Sequence, residues 1–328
     1  MAKPKKSFRV EQLLLELGGF LFTMRLLTRS DFDGLICAVL LKEVGLLDSW
    51  KFVHPKDVQE GLIEVTEDDI LANVPYIPGV GLWFDHHASE EERHHFNFEF
   101  KGMAKMAPSC ARIIWEYYGG HEKFSEKFDE MMLYVDKCDS GRLSMEDIEN
   151  PRGWVLLSFI MDPRTGLGRY RDYRISNYQL MMELVEWCRI KPVELVLEMP
   201  DVEERVERYF EQDQVFREMI RQNSTVHGNL IELDLRRQPE IYTGNRFVIY
   251  TMYPQCNISM QTIMGKQNQN TVFTVGHSII NRSSRTDVGS LMLKYGGGGH
   301  RAVGTCQVDN DQAERVRLEL IEAITRDR

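Results

Sequence analysis

Two apolar runs in the N-terminal third each end in a cluster of ionisable side chains, and this repeated pattern limits the folds open to the chain. Phe20 to Leu27 leads through Thr28-Arg29 into Ser30-Asp31-Phe32-Asp33-Gly34, and Gly81-Leu82-Trp83-Phe84 leads into Asp85-His86-His87. The first run has the length and apolar content of a buried strand, although periodicity alone does not separate it from a buried helix. Carboxylates and imidazoles at the exit of a buried strand are unfavourable unless a cation or a phosphoryl group uses them. The two clusters are therefore the candidate core of an active site.

The intervening sequence supplies the connections. Asp31 to Gly34 reads as a turn, Leu35 to Val44 as a helix, Trp50 to His54 as a second strand, Ile70 to Asn73 as a short one and Val80 to Phe84 as another. Strands separated by helices imply crossovers and a mostly parallel sheet, in which ligands bind beyond the carboxyl ends of the strands. Both ionisable clusters fall at such ends. From Pro151 to about Gln222 helical patterns dominate, as in Tyr178 to Trp187. Beyond that stretch, Leu230 to Leu235 alternates with period two, Arg246 to Tyr250 and Thr271 to Val275 read as further strands, and Gln312 to Thr325 reads as a closing helix. The expected architecture is α/β, with a mostly parallel-sheet N-terminal domain over residues 1–150, a helical connector over 151–224 and a smaller α/β C-terminal domain over 225–328. A chain of 328 residues exceeds the size at which one core usually keeps growing, which agrees with more than one domain.

Charge and cysteine usage exclude several classes. Fifty acidic against forty basic residues give a formal charge of −10, which argues against a broad nucleic-acid-coating surface and leaves room for a local pocket holding one phosphate or a short oligonucleotide. The cysteines at 37, 110, 138, 188, 256 and 306 show no Cys-x-x-Cys spacing, so neither a structural zinc site nor a disulfide scaffold is expected, and a reduced, cytoplasmic setting fits. The basic N-terminus leads into the helical pattern Val10 to Leu15 rather than a signal peptide. No apolar stretch approaches the ~20 residues of a membrane span.

Asp31 and Asp33, one residue apart in a turn, can bring two carboxylates to one site. Hard divalent cations favour such oxygens, and manganese adds tolerance for an imidazole. The structural alternative is that Asp31 caps the following helix.

With Asp31-Phe32-Asp33-Gly34 and Asp85-His86-His87 in this order, the sequence resembles the DHH phosphoesterase superfamily. That superfamily includes oligonucleotide and cyclic-dinucleotide phosphodiesterases, exopolyphosphatases and manganese-dependent inorganic pyrophosphatases. Tyr295-Gly296-Gly297-Gly298-Gly299-His300-Arg301-Ala302-Val303-Gly304 resembles the glycine-rich signature of the DHH-associated substrate domain. The resemblance spans most of the chain and is closest to the bacterial proteins labelled exopolyphosphatase-related. It implies that Asp31, Asp33 and His86 are metal ligands, that His87 contacts phosphate or assists proton transfer, and that Asp85 orients an imidazole. Asp139, in Lys137-Cys138-Asp139-Ser140-Gly141, resembles the later acidic ligand, with Asp136 as the alternative; either could instead end a helix. Gly297, Gly298, Gly299 and His300, with Arg282 in Asn281-Arg282-Ser283, resemble the substrate-binding elements. Taken without the resemblance, the glycines are a flexible turn and Arg282 a surface arginine. His94 and His95 fit a solvated face.

Two departures from the family pattern bear on mechanism. Where the family usually has a histidine before the first acidic pair, this chain has Arg29. Where it usually has a bridging aspartate, this chain has Asn73, with Asp69 as a fallback. A guanidinium removes a ligand and adds a fixed positive charge. The expectation is one Mn2+ or Mg2+ held by Asp33, His86 and Asp139 with Asn73 as a weak ligand, and Arg29 in the place of a second cation, binding phosphate. The implied activity is metal-dependent hydrolysis of a phosphodiester or phosphoanhydride (oligonucleotide, cyclic dinucleotide or polyphosphate) in an interdomain cleft. The competing expectation is a regulatory protein that binds nucleotide or polyphosphate and has lost turnover with Arg29 and Asn73.

Overall fold

Leu26 and Leu27 have no exposed surface, and the strand that holds them, β1 (Met24–Arg29), is flanked by a neighbour on each side. The computed structural model describes residues 23–86 and 99–326; Val10 to Leu15, His87, His94 and His95 lie outside the described residues. Chain contacts divide the protein into two units, one reaching Ser140 and including Arg174–Glu198, the other comprising Gly141–Tyr173 and Met199 onward.

In the first unit β1 joins β2 (Leu47–Val53), β3 (Asp69–Ala72), β4 (Leu82–Asp85) and β5 (Gly102–Ala104) in the order β2-β1-β3-β4-β5, all parallel. The mostly parallel α/β arrangement expected from the sequence is present. Leu27, Val53, Leu71, Val74 and Trp83 form a core cluster with Tyr76 and Phe100 against it. Trp83 packs in a triangle with the two rings, at centroid distances of 5.2 and 5.0 Å, and donates its indole N–H to the Val74 carbonyl at 3.0 Å. The helix Phe32–Glu43 is buried from Phe32 through Leu41. It is apolar all round, as suits an interior helix, and is surrounded by β1, β2 and the helices Cys110–Tyr117, Asp129–Asp139 and Asn177–Ile190.

The strand order reverses beside β1, because the chain runs from β1 to β2 on one side and then to β3 on the other. In open parallel sheets the crevice at such a reversal is where ligands bind. Arg29 ends β1 and Asn73 follows β3, so both face this position in the topology.

The second unit holds β6 (Ser224–His227), β7 (Leu230–Asp234), β8 (Ile258–Met264), β9 (Asn270–His277), β10 (Gly298–His300) and β11 (Val303–Asp309) in the order β10-β11-β9-β8-β7-β6. Only the β7–β8 pair is parallel. Burial alternates along β9, with Thr271, Phe273 and Val275 inward, as expected for a sheet with one covered face. Val288 and Met292 from the helix Val288–Leu293, and Val316, Leu320 and Ile324 from the helix Ala313–Arg326, close that core. The regular elements in 151–190 and 193–223 are helical, and these helices are shared between the two units. Among the described residues no helix is long and apolar enough to cross a membrane, and all six cysteines are free.

Two local expectations need correction. The helix after the first acidic pair starts at Phe32 rather than Leu35, because Asp31 caps it by accepting the Gly34 N–H at 3.0 Å. Arg246 to Tyr250 is not a strand: Val248–Met252 is a helix. The Asn245 side chain accepts the Phe247 N–H and the Asn245 carbonyl accepts the Val248 N–H, which starts a helical turn despite β-branched and aromatic content.

Gly34 sits where a side chain would collide with the end of β1: a Cβ there would lie 1.9 Å from the Arg29 carbonyl oxygen. In an open helix Gly→Ala stabilises by about 0.5–1 kcal/mol. Overpacking costs about 1–3 kcal/mol or more and reverses the sign. Gly34→Ala is therefore expected to destabilise the protein by about 2 kcal/mol in urea unfolding followed by tryptophan fluorescence; an unchanged or raised midpoint would contradict the clash.

Candidate metal centre

Asp33 lies in the first turn of the helix Phe32–Glu43 and is buried. Its Oδ1 accepts the Ala111 N–H and its Oδ2 the Cys110 N–H, both at 2.9 Å. These amides open the helix Cys110–Tyr117, so the carboxylate sits at a helix N-terminus, the end that favours negative charge. Burial nevertheless pushes the Asp33 carboxyl above its ordinary value; His86 and the two amides pull against that rise, and the charge of Asp31 adds to it. The site favours a positive charge next to Asp33.

His86 and Asp139 complete the group. The His86 Nδ1 lies 3.2 Å from the Ala107 carbonyl, which only accepts, so Nδ1 carries the hydrogen and Nε2 faces the carboxylates. Nε2 is 3.6 Å from Asp33 Oδ2 and 3.3 Å from Asp139 Oδ2. One ligand atom from each of the three residues lies within 4.8 Å of the other two. Ligands bonded to one small cation at about 2.1 Å stand roughly 3–4 Å apart, so the spacing fits. Two carboxylate oxygens and an imidazole nitrogen turned toward one point form a donor set that a divalent cation satisfies.

Asp31, Asn73 and Arg29 form a separate group next to it. Asp31 Oδ1 accepts from Asn73 Nδ2 at 3.1 Å as well as from Gly34, and Arg29 Nε lies 2.9 Å from Asp31 Oδ2. Asn73 adopts φ +57, a left-handed conformation that asparagine tolerates, and donates its N–H to the Phe84 carbonyl at 3.1 Å. The structure thus gathers Asp33, His86 and Asp139 and pairs Asp31 with a guanidinium and an amide.

Both fallback carboxylates are engaged elsewhere. Asp136 accepts from Ser109 and Arg112, and Asp69 from Arg25 and Thr66. Asp85 ends β4 and is buried. Two cysteines lie close by, neither suited to act as a thiolate: burial drives the Cys37 thiol well up and raises that of Cys110 to about 12.

The C-terminal candidates lie in the second unit. The glycine run is not a loose turn, because β10 pairs with β11 through Gly298, Gly299 and His300. A Cβ at Gly297 would meet the Thr305 carbonyl oxygen at 2.2 Å, and one at Gly299 the Val303 carbonyl oxygen at 2.3 Å, so these positions demand glycine for close strand approach. His300 is exposed. Arg282 donates to the Ile279 carbonyl at 3.0 Å and to the Gly141 carbonyl. Sequence reasoning missed the segment from Ala107 to Ala111, which contacts His86 and Asp33; Ser109 ahead of an apolar-rich stretch was its available signal, since serine is a favoured helix cap.

No family model and no curated protein sequence matches the chain. Among solved structures, the pGpG-specific phosphodiesterase PggH from Vibrio cholerae is 49% identical, covers 93% of this chain and 100% of its own, and superposes with a TM-score of 0.82. The chain belongs to the DHH phosphoesterase superfamily. RecJ from Thermus thermophilus, solved in complex with Mn2+, shares 14% identity over 96% of this chain and 53% of its own, with a TM-score of 0.51, and shares the fold. In this DHH chain the motif histidine His86 is one of the three gathered groups, while the next residue, His87, lies outside the described residues.

Metal titration separates the two adjoining groups. Asp33→Asn, His86→Gln and Asp139→Asn are each expected to weaken Mn2+ binding by about 100-fold or more in calorimetry, beyond the 10–100-fold typical of residues one step removed from the metal. Asp31→Asn is expected to weaken it by less than about 10-fold on the same scale. Equal losses would place Asp31 among the ligands. Affinity should also rise with pH, since the proton favoured on buried Asp33 competes with the cation.

Proposed function

We propose that this DHH protein is a metal-dependent phosphodiesterase acting on a short linear dinucleotide of the pGpG type. The reading is carried by the convergence of Asp33, His86 and Asp139 in a chain 49% identical, over 93% of its length, to a pGpG-specific phosphodiesterase. Hydrolysis adds water to the bridging phosphorus and releases the 3′-oxygen with a proton, so pGpG gives two molecules of GMP. Asp33, His86 and Asp139, with Asn73 as a weak fourth donor, would hold one Mn2+ or Mg2+, which when bound would supply positive charge to the phosphate and lower the pKa of water.

The protein's own residues divide the remaining work. Arg29, fixed beside Asp31 at the end of β1, takes the place of a second cation and binds a phosphate oxygen. His87 contacts phosphate or moves a proton. Gly297, Gly298, Gly299, His300 and Arg282 hold the nucleotide's terminal phosphate. The setting is cytoplasmic, in keeping with six free cysteines.

The test is a product assay with Mn2+ and a panel of pGpG, cyclic dinucleotide, longer oligonucleotides, polyphosphate and pyrophosphate. GMP should form from pGpG fastest. Arg29→Ala should lower kcat by about 100-fold, the scale for losing one charge-stabilising donor. Binding of pGpG without turnover of anything in the panel would favour the regulatory alternative.

A further inference from the structure

One short segment, residues 107–112, contacts two of the three proposed ligands and also grips the helix that carries the third. The Ala107 carbonyl accepts from His86, and the Cys110 and Ala111 amides hold Asp33. Ser109 and Arg112 bind Asp136, which lies one turn before Asp139 on the helix Asp129–Asp139.

We propose that Ser109, Arg112 and Asp136 are positioning residues, a clamp that locks the helix carrying Asp139 to the helix N-terminus that holds Asp33. This rests on the reading that Asp33, His86 and Asp139 hold the cation. Ser109 is fully buried and works in both directions: its Oγ accepts the Arg112 N–H at 3.0 Å as the helix cap and donates its hydrogen to Asp136 Oδ1 at 2.7 Å. Arg112 sends Nε and Nη2 to Asp136 Oδ2 at 2.8 and 2.6 Å. The Asp136 side chain is therefore held on both oxygens. Its carbonyl accepts the Ser140 N–H at 3.1 Å and the Ser140 hydroxyl at 2.5 Å, which fixes the helix end directly after Asp139.

Asp136 and Asp139 are separated by about 4.5 Å of helix rise, within a hydrogen-bonded turn that moves nearly as a rigid body. Metal–ligand distances tolerate only about 0.2 Å of departure. A slip of about 1 Å between the two helices would carry the Asp139 carboxylate out of range while leaving both helices folded. The clamp thus controls cation affinity through geometry, and its members need not touch the cation.

The experiment measures Mn2+ affinity by calorimetry and the spectrum of bound Mn2+ by electron paramagnetic resonance, alongside the metal-free Tm. Asp136→Asn, which keeps an acceptor for Ser109 and loses the charge that holds Arg112, should raise Kd by about 10–100-fold and alter the spectrum. Ser109→Ala should do the same, and Ser109→Thr, which restores the hydroxyl, should return Kd to within about threefold of the parent protein. Parent affinity and spectrum in both Asp136→Asn and Ser109→Ala, with only the metal-free Tm lowered, would reduce the clamp to ordinary stabilisation and overturn the proposal. Equal weakening in Ser109→Ala and Ser109→Thr would overturn it as well. Should Asp136→Asn fail to fold, the Ser109 pair decides. Absence of Mn2+ binding by the unsubstituted protein would instead overturn the reading of the metal centre beneath it.

Discussion

Burying a carboxylate is the constraint around which the first unit is organised. An isolated ionised carboxylate in an apolar interior is too costly to persist, so Asp33 must be met by donors or by a cation. Two backbone amides meet it from one side, at the start of the helix Cys110–Tyr117. Those amides satisfy its hydrogen bonding without cancelling its charge, which leaves the side facing His86 and Asp139 in need of one positive ion. The buried helix Phe32–Glu43, the glycine that lets it approach β1 and the cap at Asp31 all serve to deliver that carboxylate to the carboxyl end of the sheet.

Charge is handled differently only a few ångströms along the same turn. Asp31 and Asp33 are separated by one residue, yet one is paired with the guanidinium of Arg29 and the amide of Asn73, and the other faces an imidazole and a second carboxylate. An arginine holds its charge at any physiological pH and needs no exchangeable ion. A group able to hold a cation thus stands beside one whose positive charge is permanent.

Much of this was legible in the sequence because it depends on short-range pattern. Apolar runs ending in Asp31-Phe32-Asp33-Gly34 and Asp85-His86-His87 mark parallel strands, and Asp139, the last residue of the helix Asp129–Asp139, was legible only through the resemblance of Lys137 to Gly141 to a family motif. Asp-Phe-Asp-Gly also reads as a turn, and only the hydrogen bond from Gly34 to Asp31 shows that the helix has begun. Arg246 to Tyr250 has strand composition, but the turn at Asn245 and the burial of the consecutive residues Val248, Ile249 and Tyr250 override it. The Ser109–Asp136 bond joins residues 27 apart, and the amide contacts to Asp33 span 77 and 78 positions. No local pattern encodes such pairings, because they exist only once the helices have packed.

The division of the chain into units has a consequence for how the protein is made. The segment Arg174–Glu198 belongs with the first unit, although Gly141–Tyr173, which precedes it, belongs with the second. The helix Asn177–Ile190 covers part of the helix Phe32–Glu43. During synthesis, the sheet of β1 to β5 is therefore finished long before the piece that covers its main helix leaves the ribosome. The part of Phe32–Glu43 that this helix covers must wait through that interval, and a fragment cut near residue 150 would leave it bare.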